Sequence, residues 1–181
     1  MFGLFRKKMP GAVEKFAVYK TKVEKYRQLI LDLQQLLSEK KKLSLIYFKR
    51  ETKEELEKLL NVVSIDYIED QRSLEKENQI LLNSFEYSVK HPLDSSYIVI
   101  AAETHSYRSE NLQLAQSLKD HSFITLFTSL DEHVFKAFGS KRILDIMNMF
   151  GLKENEKIEH SLVTKSIINA QEKLEEKERG R

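Results

Sequence analysis

The sequence contains no cysteine, which removes disulfides and thiolate chemistry together. Any catalysis would need another nucleophile. Glycine is scarce as well, with five residues in 181, at Gly3, Gly11, Gly139, Gly151 and Gly180. A phosphate-cradling loop, G-x-x-x-x-G-K-[ST], needs glycines so that backbone amides can approach the phosphates and a lysine to reach the last of them. No such spacing exists here, and the G-x-G-x-x-G dinucleotide fingerprint is excluded for the same reason. Among the five histidines, His91, His105, His121, His133 and His160, no two stand four apart around a glutamate, so the usual zinc-helix geometry is missing. A large charge of one sign is lacking too. The net charge of +2 gives no footprint for nucleic acid, and none is expected as a partner. No apolar run approaches the roughly 18 to 20 residues that cross a bilayer. The opening Met1 to Lys8 is too short for a signal sequence and carries its charges after its apolar residues, so a cytoplasmic location is expected.

What remains is the composition of one soluble α/β domain, 41% hydrophobic and 32% charged. Residues 1–11 form a tail ended by Pro10 and Gly11. Its Phe2, Leu4 and Phe5 beside Arg6, Lys7 and Lys8 suit either weak peripheral contact with an anionic membrane or a frayed terminus. The domain proper is expected over 12–175, with a charged tail at 176–181. Phe16, Tyr19, Val23, Tyr26, Ile30, Leu33 and Leu37 recur at three-then-four spacing and predict a long N-terminal helix. Leu43 to Phe48 reads as a first buried strand. Thr52 and Glu55 suggest a capping box opening the next helix, lined by Leu56, Leu59 and Leu60. A short strand is expected near Val62 to Ile68, then a helix opened by Ser73 with Leu74, Leu81 and Phe85 on one side. Tyr97 to Ala102 is the clearest strand. A helix around Ser109 to Lys119, a strand at Phe123 to Thr128, helices within Asp131 to Phe138 and Arg142 to Phe150, and a final helix from Ser161 complete the pattern. Alternation of this kind predicts a parallel sheet of about four to five strands flanked by helices on both faces.

The densest polar cluster, Glu103-Thr104-His105-Ser106-Tyr107-Arg108, follows the Tyr97 strand. In an open parallel sheet ligands sit beyond the carboxyl ends of the strands, so a site is expected at this place. A Glu, a His and an Arg within six residues suit contact with an anionic ligand; a network that orders the loop uses the same residues. Asp131, Glu132 and His133 read as capping and dipole complements at a helix start.

Several stretches, in order, resemble the second nucleotide-binding domain of the SecA preprotein translocase family. Toward the C-terminus these are Ser129-Leu130-Asp131-Glu132, Phe138-Gly139-Ser140-Lys141-Arg142-Ile143, Gly151-Leu152-Lys153, Ile158 to Ile167 and Asn169 to Lys173. Val18 to Lys22 with Glu24-Lys25-Tyr26 is similar to the family's entry segment. Val99-Ile100 with Glu103, His105, Arg108 and Gln113-Leu114 is similar to its strand and loop before the last helicase-type motif. The resemblance spans about residues 18 to 175. It implies a RecA-like motor-domain fold and makes Glu103, His105, Arg108 and Gln113 the remnant of a nucleotide-facing loop.

Departures from the family pattern shape the functional expectation. After Gln113 the family has glycines and arginines that contact phosphate, whereas this chain has Ala115-Gln116-Ser117-Leu118-Lys119-Asp120. Such arginines stabilise charge on a transferred phosphoryl group. With no arginine fingers, no phosphate loop and no magnesium-binding carboxylate, the chain is expected not to be an enzyme and to hold no cofactor. The resemblance then implies an interaction or regulatory module in protein export, with the translocase motor, a preprotein or a second copy as protein partner. A residual nucleotide binder using Arg108 and His105 is the alternative.

Overall fold

The computed structural model describes residues 11–69, 78–132, 157, 158 and 161–180, with 135, 145 and 149 between them. The order is β1 (Val13–Tyr19), α1 (Lys22–Ser38), β2 (Lys42–Tyr47), α2 (Arg50–Val62), β3 (Tyr67–Ile68), β4 (Ile80–Ser84), α3 (Phe85–Lys90), β5 (Tyr97–Ala101), α4 (Arg108–Ser117), β6 (Phe123–Ser129) and α5 (Ser161–Arg179). The strands form one six-stranded sheet, ordered β1-β6-β5-β2-β4-β3, with every neighbouring pair parallel. This is the α/β class expected, with at least one strand more than the pattern suggested.

The additional strand corrects the reading of the N-terminus. Phe16 and Val18 pack on one face of the sheet and Ala17 and Tyr19 on the other, a two-residue alternation buried on both sides. The segment pairs with β6 from Val13 opposite Phe123 to Tyr19 opposite Ser129. Phe16 and Tyr19 fell into step with the true helical stripe because three-residue spacing between two points does not define a period. The helix starts at Lys22, where the Thr21 hydroxyl accepts the Glu24 N–H at 3.3 Å.

The expected capping box is not formed either. Lys49 is the N-cap of α2 and its side chain makes no cap bond. Thr52 is buried inside the helix, and Glu55 reaches α1 instead, accepting from Lys22 Nζ at 2.6 Å and from the Tyr26 hydroxyl at 2.7 Å. A cation on a neighbouring helix attracts the carboxylate more than a neutral N–H one turn back. Burial and the Glu55 carboxylate together push the Tyr26 hydroxyl far above its ordinary range. Leu81 lies in β4, and Phe85 opens α3 with Ser84 as its cap, so neither belongs to a helix begun at Ser73. Ser73, Leu74 and most of the two helices sought between Asp131 and Phe150 fall outside the described residues. The last helix begins at Ser161 as expected and continues through the charged residues to Arg179.

Connections that run one way along the sheet put α1 and α2 on one face; those that run back put α3 and α4 on the other, as right-handed crossovers require. Leu29 and Leu33 of α1 and Leu56 and Leu60 of α2 pack with Leu43, Leu45, Leu82 and Phe127. On the opposite face, Leu114 of α4 and Val163, Ile167, Ala170 and Leu174 of α5 pack with Val18, Val99, Ile124 and Leu126. Gly11 leads the chain against α4, where an added Cβ would lie 2.8 Å from the Ala115 carbonyl oxygen. The contact is held by Ala12 N–H donating to that same oxygen at 2.9 Å.

Candidate functional site

The chain after β2 turns toward α2 on one face, and the chain after the adjacent β5 turns toward α4 on the other. Their carboxyl ends therefore flank the topological switch point, where open parallel sheets take their ligands. Glu103 lies there, buried. Its Oε1 accepts the backbone N–H groups of Phe48 and Lys49 at 3.0 Å each, and Lys49 Nζ stands 4.0 Å from its Oε2. A carboxylate of the chain thus holds the amides at the start of α2, the position favoured for an anion.

The rest of the loop is held from within in the same manner. His105 donates its backbone N–H to Asn111 Oδ1 at 3.1 Å, and its carbonyl accepts from Gln171 Nε2 of α5. Its ring packs near Phe48 and Tyr107, and its Nδ1 accepts the Tyr107 N–H at 3.0 Å. That bond requires a lone pair on Nδ1, which fixes the neutral tautomer protonated at Nε2. Arg108 is bidentate on Glu14 of β1, donating from Nη1 at 2.7 Å and also from Nη2, with both side chains largely buried. The next residue, Ser109, donates its backbone N–H to Glu175 of α5 at 3.0 Å and its hydroxyl to the same carboxylate. Arg179 reaches Glu110 at 3.0 Å with its guanidinium 4.0 Å from the Tyr107 ring centroid, and the Tyr107 hydroxyl donates to Glu178.

Of the four residues expected to face nucleotide, Glu103 and His105 lie in one network at the switch point. Arg108 is directed along the sheet to Glu14, and Gln113 is exposed on α4 away from the loop's hydrogen bonds. The residues that organise the loop most, Glu14, Gln171 and Glu175, stand 94, 66 and 66 positions from their partners. No local spacing announces them. Among the described residues, three buried polar atoms beside the loop find no hydrogen-bond partner: Thr104 Oγ1, Asn111 Nδ2 and Gln171 Oε1.

Burial pushes the His105 imidazole below its ordinary pKa, against the opposing pull of Glu110. The unfolded chain then binds a proton more readily than the folded one. Stability contributed by neutral His105 is complete above about pH 6.5 and is lost as pH falls from there through the depressed folded value. The urea midpoint is expected to fall between pH 7.5 and 5.5, and less steeply in His105→Asn, which keeps an acceptor for Tyr107 but cannot be protonated.

A second cluster closes the carboxyl ends of β1 and β6. The helix that Asp131, Glu132 and His133 were expected to open lies outside the described residues. Asp131 Oδ2 accepts the Lys22 N–H at the start of α1, at 3.1 Å. Glu132 Oε1 accepts from Lys25 Nζ at 2.8 Å and from Ser129, and Oε2 from the Thr128 hydroxyl at 3.1 Å. Lys25 is 1% exposed, so this is a buried ion pair.

No family model matches the chain. Among curated proteins, it is 27% identical over 185 residues to the protein translocase subunit SecA of Phocaeicola vulgatus, covering 90% of this chain. A shorter stretch, 45% of the chain, is 39% identical over 85 residues to the SecA of Flavobacterium psychrophilum. The chain is SecA-like. It spans 17% and 8% of those two relatives, so it corresponds to a small part of each. The C-terminal part of the Fun30 ATPase domain is a structural neighbour at a TM-score of 0.47 and 14% identity, over 83% of this chain and 54% of that one. The SecA similarity corrects the expectation that the chain is not an enzyme. The relatives it matches along nine-tenths of its length are protein translocase subunits, and the match covers 17% of the one from Phocaeicola vulgatus. Spacings missing from a chain that matches so small a share of its relatives do not decide whether nucleotide chemistry takes place in it. No helix among the described residues is long and apolar enough to cross a membrane.

Proposed function

We propose that this SecA-like domain acts in protein export as a protein-binding module, with the translocase motor as its foremost partner and a preprotein or a second copy as the others. The observation that carries this reading is the state of the switch point. The amides of Phe48 and Lys49 are taken by Glu103, the guanidinium of Arg108 by Glu14, and the first turn of α4 by Glu175. A phosphate arriving there would have to displace carboxylates that are already buried and hydrogen-bonded. A protein partner needs no such exchange. Fold alone does not transfer a motor's role, so the reading rests on this site and not on the sheet.

The alternative, a residual nucleotide binder working through Arg108 and His105, is favoured by the unpartnered Thr104, Asn111 and Gln171 atoms beside the loop. Parallel calorimetric titrations of the purified chain separate the two. Purified full-length SecA from the same cell is expected to give saturable heat, and magnesium-ATP and ADP at millimolar concentration none. Nucleotide heat without SecA heat would reverse the assignment.

A further inference from the structure

A cleft of about 360 Å³ opens at the end of the sheet away from the switch point, where the turns leading into β5 and β6 lie side by side. Ligand sites commonly measure about 300–1,000 Å³, so this one suits a small guest. Both turns are fixed by their own main chain. Tyr97 N–H donates to the Asp94 carbonyl at 3.1 Å, Ser96 N–H to Asp94 Oδ1 at 2.8 Å, and His121 N–H to the Leu118 carbonyl at 3.0 Å. The walls carry hydroxyls from Ser95 and Ser122, a carboxylate from Asp120, and apolar surface from Ile98, Val99 and Phe123. His121 completes the lining. It is only 8% exposed, and among the described residues neither of its ring nitrogens finds a hydrogen-bond partner. A neutral imidazole offers one donor and one acceptor, and a buried ring with both idle has lost its hydration without compensation.

We propose that this cleft binds a small uncharged polyhydroxy compound, a monosaccharide or a cyclic polyol, and that the His121 ring turns to meet it. Charge decides against ions. Asp120 lines the cleft and Asp94 stands just before Ser95, while lysines already cover the aromatic rings: Lys15 Nζ lies 3.7 Å from the Phe123 ring centroid and Lys42 Nζ 5.9 Å from that of Tyr97. An anion would face the carboxylates and a cation the ammonium groups. The hydrogen-bonding groups decide for hydroxyls. Ionised Asp120 only accepts, whereas Ser95, Ser122 and His121 both donate and accept, so the guest that matches this wall does both at several adjacent points. Its C–H face then rests on Ile98 and Phe123. As the ring stands, the His121 nitrogens are sealed from solvent. A half-turn about Cβ–Cγ exchanges each nitrogen with a ring carbon, keeps the outline of the ring, and carries donor and acceptor to its other side. The site stands apart from the protein-binding reading above, since it uses no residue of the switch-point network.

The test is a titration of the isotope-labelled full chain with glucose and, separately, with myo-inositol, followed by amide and imidazole NMR. Shifts are expected at Tyr97, Ile98, His121, Ser122 and Phe123 with at least one of the two, saturating with a Kd of about 1–10 mM, the range a few hydrogen bonds can reach. The ring-nitrogen signals of His121 are expected to move in step. His121→Phe keeps a ring but no nitrogen, and should weaken binding about fivefold or more, the size of one hydrogen bond. Ser122→Trp, at an exposed position, fills the mouth of the cleft and should abolish the shifts. If His121→Phe loses the amide pattern of the folded chain, Ser122→Trp carries the test alone. No shift at tens of millimolar of either compound, equal shifts from ethylene glycol at matched hydroxyl concentration, or unchanged affinity in Ser122→Trp would each overturn the proposal. Larger shifts from sulfate than from either compound would overturn it in favour of an anion site.

Discussion

Replacing Glu132 by alanine is expected to remove about 3–5 kcal/mol of stability, the cost of leaving a buried charge without its partner. Lys25 is the charge in question, 1% exposed, with its ammonium 2.8 Å from Glu132. The same substitution strips acceptors from Thr128 and Ser129 at the end of β6. Urea unfolding at neutral pH measures the loss. The double variant Lys25→Met, Glu132→Leu removes both charges while keeping volume, and should recover most of the stability, because apolar packing commonly replaces a buried ion pair at little or no cost. A loss of under 1 kcal/mol in the single variant would mean that Lys25 reaches water and the clamp between α1 and β6 is superficial.

Arg108→Met is expected to produce a loss of similar order, about 3–5 kcal/mol, since Glu14 would stay behind on β1 with its carboxylate stranded under α4. The reciprocal change, Glu14→Gln, removes the charge that neutralises Arg108 and so leaves the guanidinium competent for another anion. That variant separates the two functional readings. If Arg108 serves nucleotide phosphate, Glu14→Gln should raise ATP affinity several-fold; if the pair is structural, calorimetry will show only lowered stability and no gain for ATP.

The strands legible in the sequence are those whose apolar runs are bounded by turn residues, Tyr97 to Ala101 and Phe123 to Ser129 among them. β1 was hidden because Phe16 and Tyr19 also fit the stripe that continues through Tyr26 and Leu33, and only pairing with β6 decides between the two periods. β4 was hidden for a related reason: Ile80-Leu81-Leu82 is too short a run for periodicity to tell strand from helix. At the site, the position of the Glu103 to Arg108 loop follows from its strand and was readable. Its internal wiring was not. Glu14, Gln171 and Glu175 reach the loop from β1 and α5, and which carboxylate meets which donor is a property of the packed helices. Likewise Glu132 looks like a helix-start residue in sequence, while its partner Lys25 lies 107 positions earlier.

Capture of the intact chain from its native cells, with the bound proteins identified and quantified, tests the central claim most directly. Full-length SecA or another component of the export machinery is expected to be enriched over a control carrying an unrelated α/β domain. Recovery of neither would contradict a role in protein export.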